Sequence, residues 1–472
     1  MKRKRTTPAD TTPVRVVIIT LDNHLSGVVD RAAATLARSL PGLTLSLHAA
    51  ANWNADPDSL EHCHRDIAEG DIFLVTMMFM EDHINAVLPA LKARRDHCDA
   101  MICCMSASEV MPLTRMGKFR MDGEPSGPIA LLKRLRGSSG GSKQSAGAQQ
   151  LSVLRQLPRI LRFIPGTAQD VRAYFLTLQY WLAGSEENLQ RLVLFLVDRY
   201  GEDERAGLCA GQRVGAPIEY PETGVYHPAL DGRIAATAKN LTRRRKHKGT
   251  VGLLLMRSYA LAGNTAHYDA VIEALEQRGL RVIPAFASGL DARPAVEQFF
   301  VKNGEPVVDL VLSLTGFSLV GGPAYNDASA AEEMLADLDV PYMAAQALEF
   351  QSLEEWRDSA QGLMPIEATM MVAIPELDGA TVPSIFGGRS DSAEHQSPGG
   401  SLHDMRPHEE RVAALAERAA RLVQLRHQSR AEKRLAIVLF NFPPNAGNTG
   451  TAAHLGVFES LNNTLKSLSE QG

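Results

Sequence analysis

The chain has 472 residues, of which 45% are hydrophobic and 22% charged, a composition typical of a soluble globular protein with two to four domains. Its 49 basic and 54 acidic side chains leave a formal net charge of −5, which argues against a nucleic-acid-binding protein, since such proteins usually carry a basic excess. No apolar run reaches the roughly 18 residues that a membrane span needs, and no apolar segment follows the basic start. We therefore expect a cytoplasmic protein.

The five cysteines fit reduced, buried thiols better than a disulfide scaffold, because their number is odd and most lie in apolar segments. Cys103 and Cys104 are adjacent, which raises the question of a zinc site. Neighbouring residues of a strand point to opposite faces, however, so the sequence favours small core residues at both positions.

Residues 14–115 alternate between short β-branched runs and helical patterns, after a polar segment, 1–13, that is predicted to be a disordered tail. Continuous apolar strands separated by crossover helices are typical of a parallel sheet that is covered on both faces. We therefore predict an amino-terminal, doubly wound α/β domain over 14–115. Its predicted strands are Val14–Thr20, Leu43–His48, Ile72–Met77 and Ala100–Met105, and its predicted helices are Leu25–Leu40, Asp58–Glu69 and Glu81–Arg95.

Residues 116–248 are predicted to form a mostly helical connecting region. A Gly/Ser loop at 137–148 contains Lys143, but its glycine spacing differs from that of a phosphate-binding loop, and no hydrophobic strand precedes it. Helical patterns follow at Asp170–Leu182 and Ser185–Tyr200, and the serine hydroxyl is a good cap for the second helix. The dense aromatic stripe of the first helix favours a core role.

A second α/β domain is predicted over 249–350. Its predicted strands are Val251–Met256, Arg281–Phe286, Asp309–Leu314 and Val340–Ala344, and its predicted helices are Thr265–Gln277 and Ala330–Leu338. Pro341 interrupts the last strand, which predicts a position at the edge of the sheet. Ligands of such sheets bind beyond the carboxyl ends of the strands, which here are the loops Arg257–Thr265, Ala287–Gly289 and Thr315–Gly322.

Residues 351–430 are predicted to be loops followed by a charged helix at Pro407–Gln428. An apolar strand at Leu435–Phe440, a loop and a last helix come next. One strand and one helix cannot bury both faces of the strand, so 431–472 are interpreted as the beginning of a truncated α/β domain. The predicted fold class is thus α/β, with two doubly wound parallel-sheet domains, a helical connecting region and the start of a further α/β domain.

The most specific segment is 440–461, FNFPPNAGNTGTAAHLGVFESL. Two prolines fix the chain after the predicted strand, and Gly447 and Gly450 permit close backbone approach. Asn448 or Thr449 can cap the following helix, whose first amides could hold an anion such as a carboxylate. From the spacing alone, a ligand-binding loop and an irregular, well-capped connection stay equally open.

This segment closely resembles the corresponding stretch of the magnesium chelatase H-subunit family, and more loosely that of the cobaltochelatase large subunit. The run 257–266, RSYALAGNTA, resembles a strand–loop–helix of the same family. The runs 16–24, VVIITLDNH, and 77–83, MMFMEDH, resemble its amino-terminal domain. The matches occur in order from about Val14 to the end of the chain, and the amino-terminal ones favour the magnesium branch.

The resemblance implies a large subunit that holds protoporphyrin IX while two further subunits drive the insertion of Mg²⁺, which is a substrate. One partner is implied to be an AAA+ ATPase that hydrolyses ATP, and the other its integrin-like companion. The implied pathway is the synthesis of chlorophyll or bacteriochlorophyll. Members of the family are far longer than 472 residues. We therefore expect an amino-terminal fragment that is inactive alone, and we assign no catalytic residue and no metal ligand.

The predicted binding residues lie in loops at strand ends and are Arg257, Asn264, Thr265, Asn445, Asn448, Thr449 and His454. Loss of two pyrrole protons requires a carboxylate or histidine base near the ring. Further candidates, for each of which a solvated or structural role is favoured, are His24, Glu81, Asp82, His83 and His267. Two other functions stay open, namely a non-catalytic tetrapyrrole-binding or regulatory protein and a cobaltochelatase large subunit that acts on a corrinoid precursor.

Overall fold

The computed structural model describes residues 11–21, 23–53, 56–122, 157–241, 247–322, 325–390, 404–441, 449–450 and 456–471. The Gly/Ser loop 137–148 and most of the predicted tail 1–13 lie outside these ranges. A six-stranded and an eight-stranded sheet organise the chain into two α/β units. Within the ranges described, no helix combines the length and the apolar character that crossing a bilayer requires.

The first sheet has the strand order β2-β1-β3-β4-β5-β6. Its strands are β1 Val14–Thr20, β2 Leu43–Ala49, β3 Ile72–Thr76, β4 Ala100–Cys104, β5 Arg115–Met116 and β6 Phe119–Arg120. The first four strands are parallel, and β5 and β6 add an antiparallel hairpin at one edge. The prediction of a doubly wound parallel sheet is confirmed.

Helices cover both faces of this sheet, which explains its continuous apolar strands. They are α1 Ser26–Leu36, α2 Pro57–Glu69, α3 Glu81–Arg94, α4 Thr167–Ala183 and α5 Glu186–Tyr200. One core joins the sheet to α1, α4 and α5, and a second core joins the other face to α2 and α3. The Tyr174 hydroxyl of α4 donates to the Cys103 carbonyl of β4 over 3.3 Å. The helices from the predicted connecting region therefore belong to the first unit.

The second sheet has the order β18-β17-β16-β13-β9-β10-β7-β8. Its strands are β7 Gly224–Tyr226, β8 Ile234–Ala235, β9 Thr250–Leu254, β10 Arg281–Phe286, β13 Leu310–Ser313, β16 Tyr342–Ser352, β17 Thr381–Arg389 and β18 Arg406–Pro407. Two small hairpins lie outside the sheet and pair β11 Val301–Lys302 with β12 Glu305–Pro306, and β14 Gly321–Gly322 with β15 Tyr325–Asn326. The five central strands are parallel.

The helices of the second half are α6 Arg257–Ala262, α7 Ala266–Gln277, α8 Arg293–Phe299, α9 Ala328–Leu338, α10 Leu353–Asp358, α11 Pro365–Glu367, α12 Ile374–Leu377, α13 Glu409–His427 and α14 Val457–Gln471. Helices α7 and α13 cover one face of the sheet, and α8 and α9 cover the other. A π-helical turn, Ala368–Ala373, joins α11 to α12.

Three expectations about the second sheet and its connections are wrong. Strand β16 lies between β13 and β17 and not at an edge, because Pro341 precedes the strand and its carbonyl accepts a bond from the Val311 amide over 3.0 Å. The expected loop at 257–264 contains α6, whose end is set by Gly263 at φ +68°. Strand β17 lies in the region predicted to be loop-rich. The prediction missed it because its proline and two glycines hide the strand pattern.

The predicted strand at Leu435–Phe440 is not formed. Five of its six side chains are exposed, with 67% for Leu435, 92% for Val438 and 63% for Phe440. A strand needs a neighbour to pair its amides and carbonyls, and no described strand lies beside this segment. The helix predicted after it is present as α14, which has no buried residue.

Candidate functional site

One cleft of about 890 Å³ is lined by residues that follow strands of both sheets. Met77 follows β3, Met105 follows β4, Met256 follows β9, and Arg389 ends β17. In doubly wound sheets, ligands bind beyond the carboxyl ends of the strands. The volume also lies in the range of known small-molecule sites. The topology therefore makes this cleft the leading ligand site.

Sulfur and aromatic side chains form much of the cleft wall. Its methionines are Met77, Met80, Met105, Met256, Met370 and Met405, and its aromatic residues include Trp181, Tyr259, Phe317 and Phe350. Thioethers are polarisable and flexible, and they make favourable contacts with aromatic rings. A wall of this kind suits a large, flat, apolar ligand better than a small polar metabolite.

Two of these methionines have left-handed backbones. Met77 has φ +57° and Met105 has φ +46°, and the Met77 amide donates to the Met105 carbonyl over 2.9 Å. Residues other than glycine adopt this conformation at a cost of about 1–2 kcal/mol. Such strain clusters at ligand sites, which supports a binding role for this part of the cleft.

A few polar groups interrupt the apolar wall. The Tyr259 hydroxyl, in a side chain that is largely buried, donates to Glu349 Oε1 over 2.9 Å. Within the part of the chain that the structure describes, Arg389 Nε and His83 Nδ1 have no hydrogen-bond partner. The His83 ring packs edge-on against Trp53, with 5.8 Å between centroids. Sparse polar groups in an apolar cavity are the usual means of orienting a ligand.

Arg31 joins the two units beside the cleft. Its guanidinium donates to Asp404 Oδ2 over 2.7 Å and to the Ala262 carbonyl over 2.8 Å, so that α1 is tied to the second unit. The next residue after Asp404, Met405, lines the cleft, and its amide donates to Asn264 Oδ1 over 2.7 Å. Charge-assisted bonds of this kind hold the opposing walls in register.

The predicted binding residues divide into three groups. Asn264 lines the cleft, although its oxygen is already used by Met405. The second group, which does not line the cleft, consists of Arg257, Thr265 and Thr449. Arg257 donates to the Pro221 carbonyl over 3.0 Å, and the buried Thr265 hydroxyl accepts from the Tyr226 hydroxyl over 2.8 Å. The third group lies outside the described residues and consists of Asn445, Asn448 and His454.

Of the further candidates, His24 and His83 line the cleft. Glu81 and Asp82 are exposed in the first turn of α3. His267 is fully buried and stacks on Phe386, and burial lowers its pKa to about 3, so it stays neutral in the core.

Sequence reasoning missed Glu349 and Arg389. No motif surrounds either residue, and the only signal for them is a position near the ends of β16 and β17. No group of three or more histidine, cysteine, aspartate or glutamate side chains that could hold a metal ion occurs among the residues described.

Two families match the chain in tandem. The family described as CobN/Magnesium Chelatase matches residues 178–472, and a domain of unknown function, DUF3479, matches residues 15–175. The fold is similar to that of the catalytic subunit of cobaltochelatase from Mycobacterium tuberculosis, with a TM-score of 0.55 and 19% identity over 98% of this chain and 31% of that one. At this identity the likeness concerns the fold alone.

Relatives found by sequence are more similar to this chain than that structure is. The magnesium-chelatase H subunit of Cereibacter sphaeroides is 48% identical over 98% of this chain and 39% of its own length. The chloroplastic magnesium-chelatase ChlH protein of Oryza sativa subsp. indica is 37% identical over 86% of this chain and 29% of its own length. This chain thus spans well under half of either relative. By the family match over residues 178–472 and by these identities, the chain belongs to the CobN/magnesium chelatase family.

Proposed function

We propose that this chain is the amino-terminal part of the porphyrin-binding large subunit of a magnesium chelatase, and that its cleft contacts protoporphyrin IX. The observation that carries the proposal is the methionine-rich cleft between the two sheets. The name of the Cereibacter sphaeroides relative supports the choice of reaction. In the whole assembly, Mg²⁺ and the porphyrin are substrates, an AAA+ partner with its integrin-like companion hydrolyses ATP, and the pathway makes chlorophyll or bacteriochlorophyll in the cytoplasm.

The cleft side chains suit a porphyrin in a specific way. Methionine and aromatic walls would pack on the two faces of the macrocycle, where apolar burial supplies most of the affinity. Arg389, whose Nε has no partner among the residues described, would receive a propionate through a charge-assisted bond. We assign binding of the ring to this chain and assign no step of metal insertion to it.

A titration of the 472-residue chain with deuteroporphyrin IX, followed by the shift of the porphyrin absorbance band, tests this proposal. We expect saturable binding in the micromolar range or tighter. Ala51→Trp adds an indole to an exposed residue of the cleft wall and should abolish the shift. Arg389→Gln removes a charged donor and should weaken binding about tenfold or more.

The matched control is Arg421→Gln, an exposed arginine on α13 that pairs with Glu417 and does not line the cleft. It should bind as the unsubstituted chain does. No binding by a chain with native circular dichroism, or binding indifferent to both cleft substitutions, would exclude the cleft as a ring site.

The two alternatives are separated by different substrates and readouts. Replacement of the ring by a hydrogenobyrinate-type corrinoid should give weaker binding if the magnesium branch is correct. A regulatory tetrapyrrole-binding protein would bind porphyrin equally well, but the longer protein that contains this segment would not support chelation with the partner subunits.

A further inference from the structure

A second pocket, of about 410 Å³, shares the π-helical turn with the cleft. Met370 of that turn lines the cleft, whereas Val372 lines this pocket. Its other walls come from α13, β16, β17 and the α10 region, and they include Trp356 and the apolar residues Leu363 and Ile385. Its volume is in the range of small-molecule sites, and π-helical turns are frequent at functional positions. We call it the Gln346 pocket.

A buried acceptor without a partner lies in this pocket. Gln346 is 2% exposed, lines the pocket from β16, and its Oε1 has no hydrogen-bond partner in the part of the chain described. An unsatisfied buried oxygen costs about 1–3 kcal/mol, and such groups in native proteins call for an explanation. A ligand hydroxyl or N–H that donates to this oxygen would recover much of that cost.

Two guanidinium groups lie on the same pocket. Arg411 and Arg418 are seven residues apart on α13 and therefore share one face of the helix. The Arg411 guanidinium lies 5.8 Å from the centroid of the Trp356 ring and pairs with Glu410 over 3.0 Å. Arg418 donates to the Ser384 hydroxyl over 3.3 Å. The two arginines and the single carboxylate of Glu410 leave this wall of the pocket with a net positive charge. Guanidinium groups bind carboxylates in a bidentate manner.

We propose that the Gln346 pocket binds a small planar carboxylate that also carries a hydrogen-bond donor. The carboxylate pairs with Arg411 and Arg418, the planar apolar body packs on Trp356, and the donor bonds to Gln346 Oε1. This site is separate from the cleft and does not depend on the proposed porphyrin binding.

Three probes of one shape test the proposal by isothermal titration of the 472-residue chain. The first, 6-hydroxy-2-naphthoate, has both polar ends; 2-naphthoate lacks the donor, and 2-naphthol lacks the carboxylate. We expect saturable one-to-one binding of the first probe, with about tenfold weaker binding of each of the other two, since each loses one buried polar contact.

Substitutions then assign the contacts. Gln346→Leu should remove the preference for 6-hydroxy-2-naphthoate over 2-naphthoate, and Arg411→Gln with Arg418→Gln should remove the preference for the carboxylate. Arg421→Gln is the matched control on the same helix and should change neither preference.

Three results would overturn the inference. They are no saturable binding of 6-hydroxy-2-naphthoate, preferences that survive the substitutions, and loss of probe binding in the Ala51→Trp variant, which would place the probe in the cleft. Failure of porphyrin binding would leave these outcomes unchanged, because the two titrations use different probes and different variants.

Discussion

His267 makes the stability of the second unit depend on pH. Its ring is fully buried, stacks on Phe386 with 5.6 Å between centroids and lies 3.9 Å from the ring of Tyr268, and its Nδ1 has no partner among the residues described. Burial lowers its pKa from 6.5 to about 3, since a charged imidazole cannot be solvated there. The unfolded chain therefore binds a proton at His267 at higher pH than the folded chain does.

The sign and size of the effect follow from linkage. Stability from the neutral ring is fully present above pH 6.5 and is lost progressively as the pH falls toward 3. Between pH 7 and pH 5, His267 alone should lower the free energy of unfolding by about 2 kcal/mol. The reason is that pH 5 lies about 1.5 units below the pKa of the unfolded state, in which the ring is then protonated, whereas the folded ring stays neutral. His267→Phe keeps an aromatic ring that cannot bind a proton, so this loss should disappear.

Urea unfolding at pH 7 and pH 5, followed by fluorescence in a background with Trp53 and Trp181 replaced by Phe, measures the difference. Trp356 is then the single tryptophan and reports on the second unit. His97→Gln, which removes an exposed histidine of the first unit and leaves His267 in place, is the control, and its second unit should lose the same stability between pH 7 and pH 5 as that of the parent. Equal pH dependence of His267→Phe and its parent would refute the reasoning.

Three more predictions concern packing and ion pairs. Arg205→Met should lower the free energy of unfolding of the first unit by about 3–5 kcal/mol in urea titrations, because two hydrogen bonds, of 2.7 and 2.8 Å, to the buried Asp99 are lost. A loss below about 1 kcal/mol would contradict this. Gly252→Ala should cost about 1–3 kcal/mol by calorimetry, since the added Cβ would lie 2.7 Å from the Phe300 ring; an unchanged melting temperature would argue for a ring that moves freely. The five buried cysteines, whose pKa values burial raises, should not react with a thiol reagent until the chain unfolds, and fast labelling of the native chain would be inconsistent with their burial.

The first sheet was predictable because its strands are continuous apolar runs bounded by helix stop signals. Val14–Thr20 and Ile72–Thr76 have buried residues on both faces, so local pattern and tertiary burial agree. Strand β17 was missed because a proline and adjacent glycines lower its strand propensity, and its stability comes from pairing with β16 across register shifts. Placement of α4 and α5 on the first sheet depends on long-range packing that no local pattern encodes.

The candidate site was predictable only in its general position. Strand ends were expected to bind ligands, and Asn264 does line the cleft. The pairing of two sheets around one cleft is a tertiary property, so Glu349 and Arg389 could not be selected from sequence. Arg257 carries the expected charge, but its donors go to backbone carbonyls of a neighbouring loop.

The exposed run Leu435–Phe440 has a consequence for handling this chain in solution. Six consecutive apolar residues without a charge or a proline, with Val438 92% exposed, match the profile of segments that stack between molecules as cross-β aggregates. Native proteins protect such segments by pairing them or by placing a charged residue within them. These six residues are therefore a predicted aggregation site of the chain, and Val438→Lys should raise its solubility without touching the buried cores.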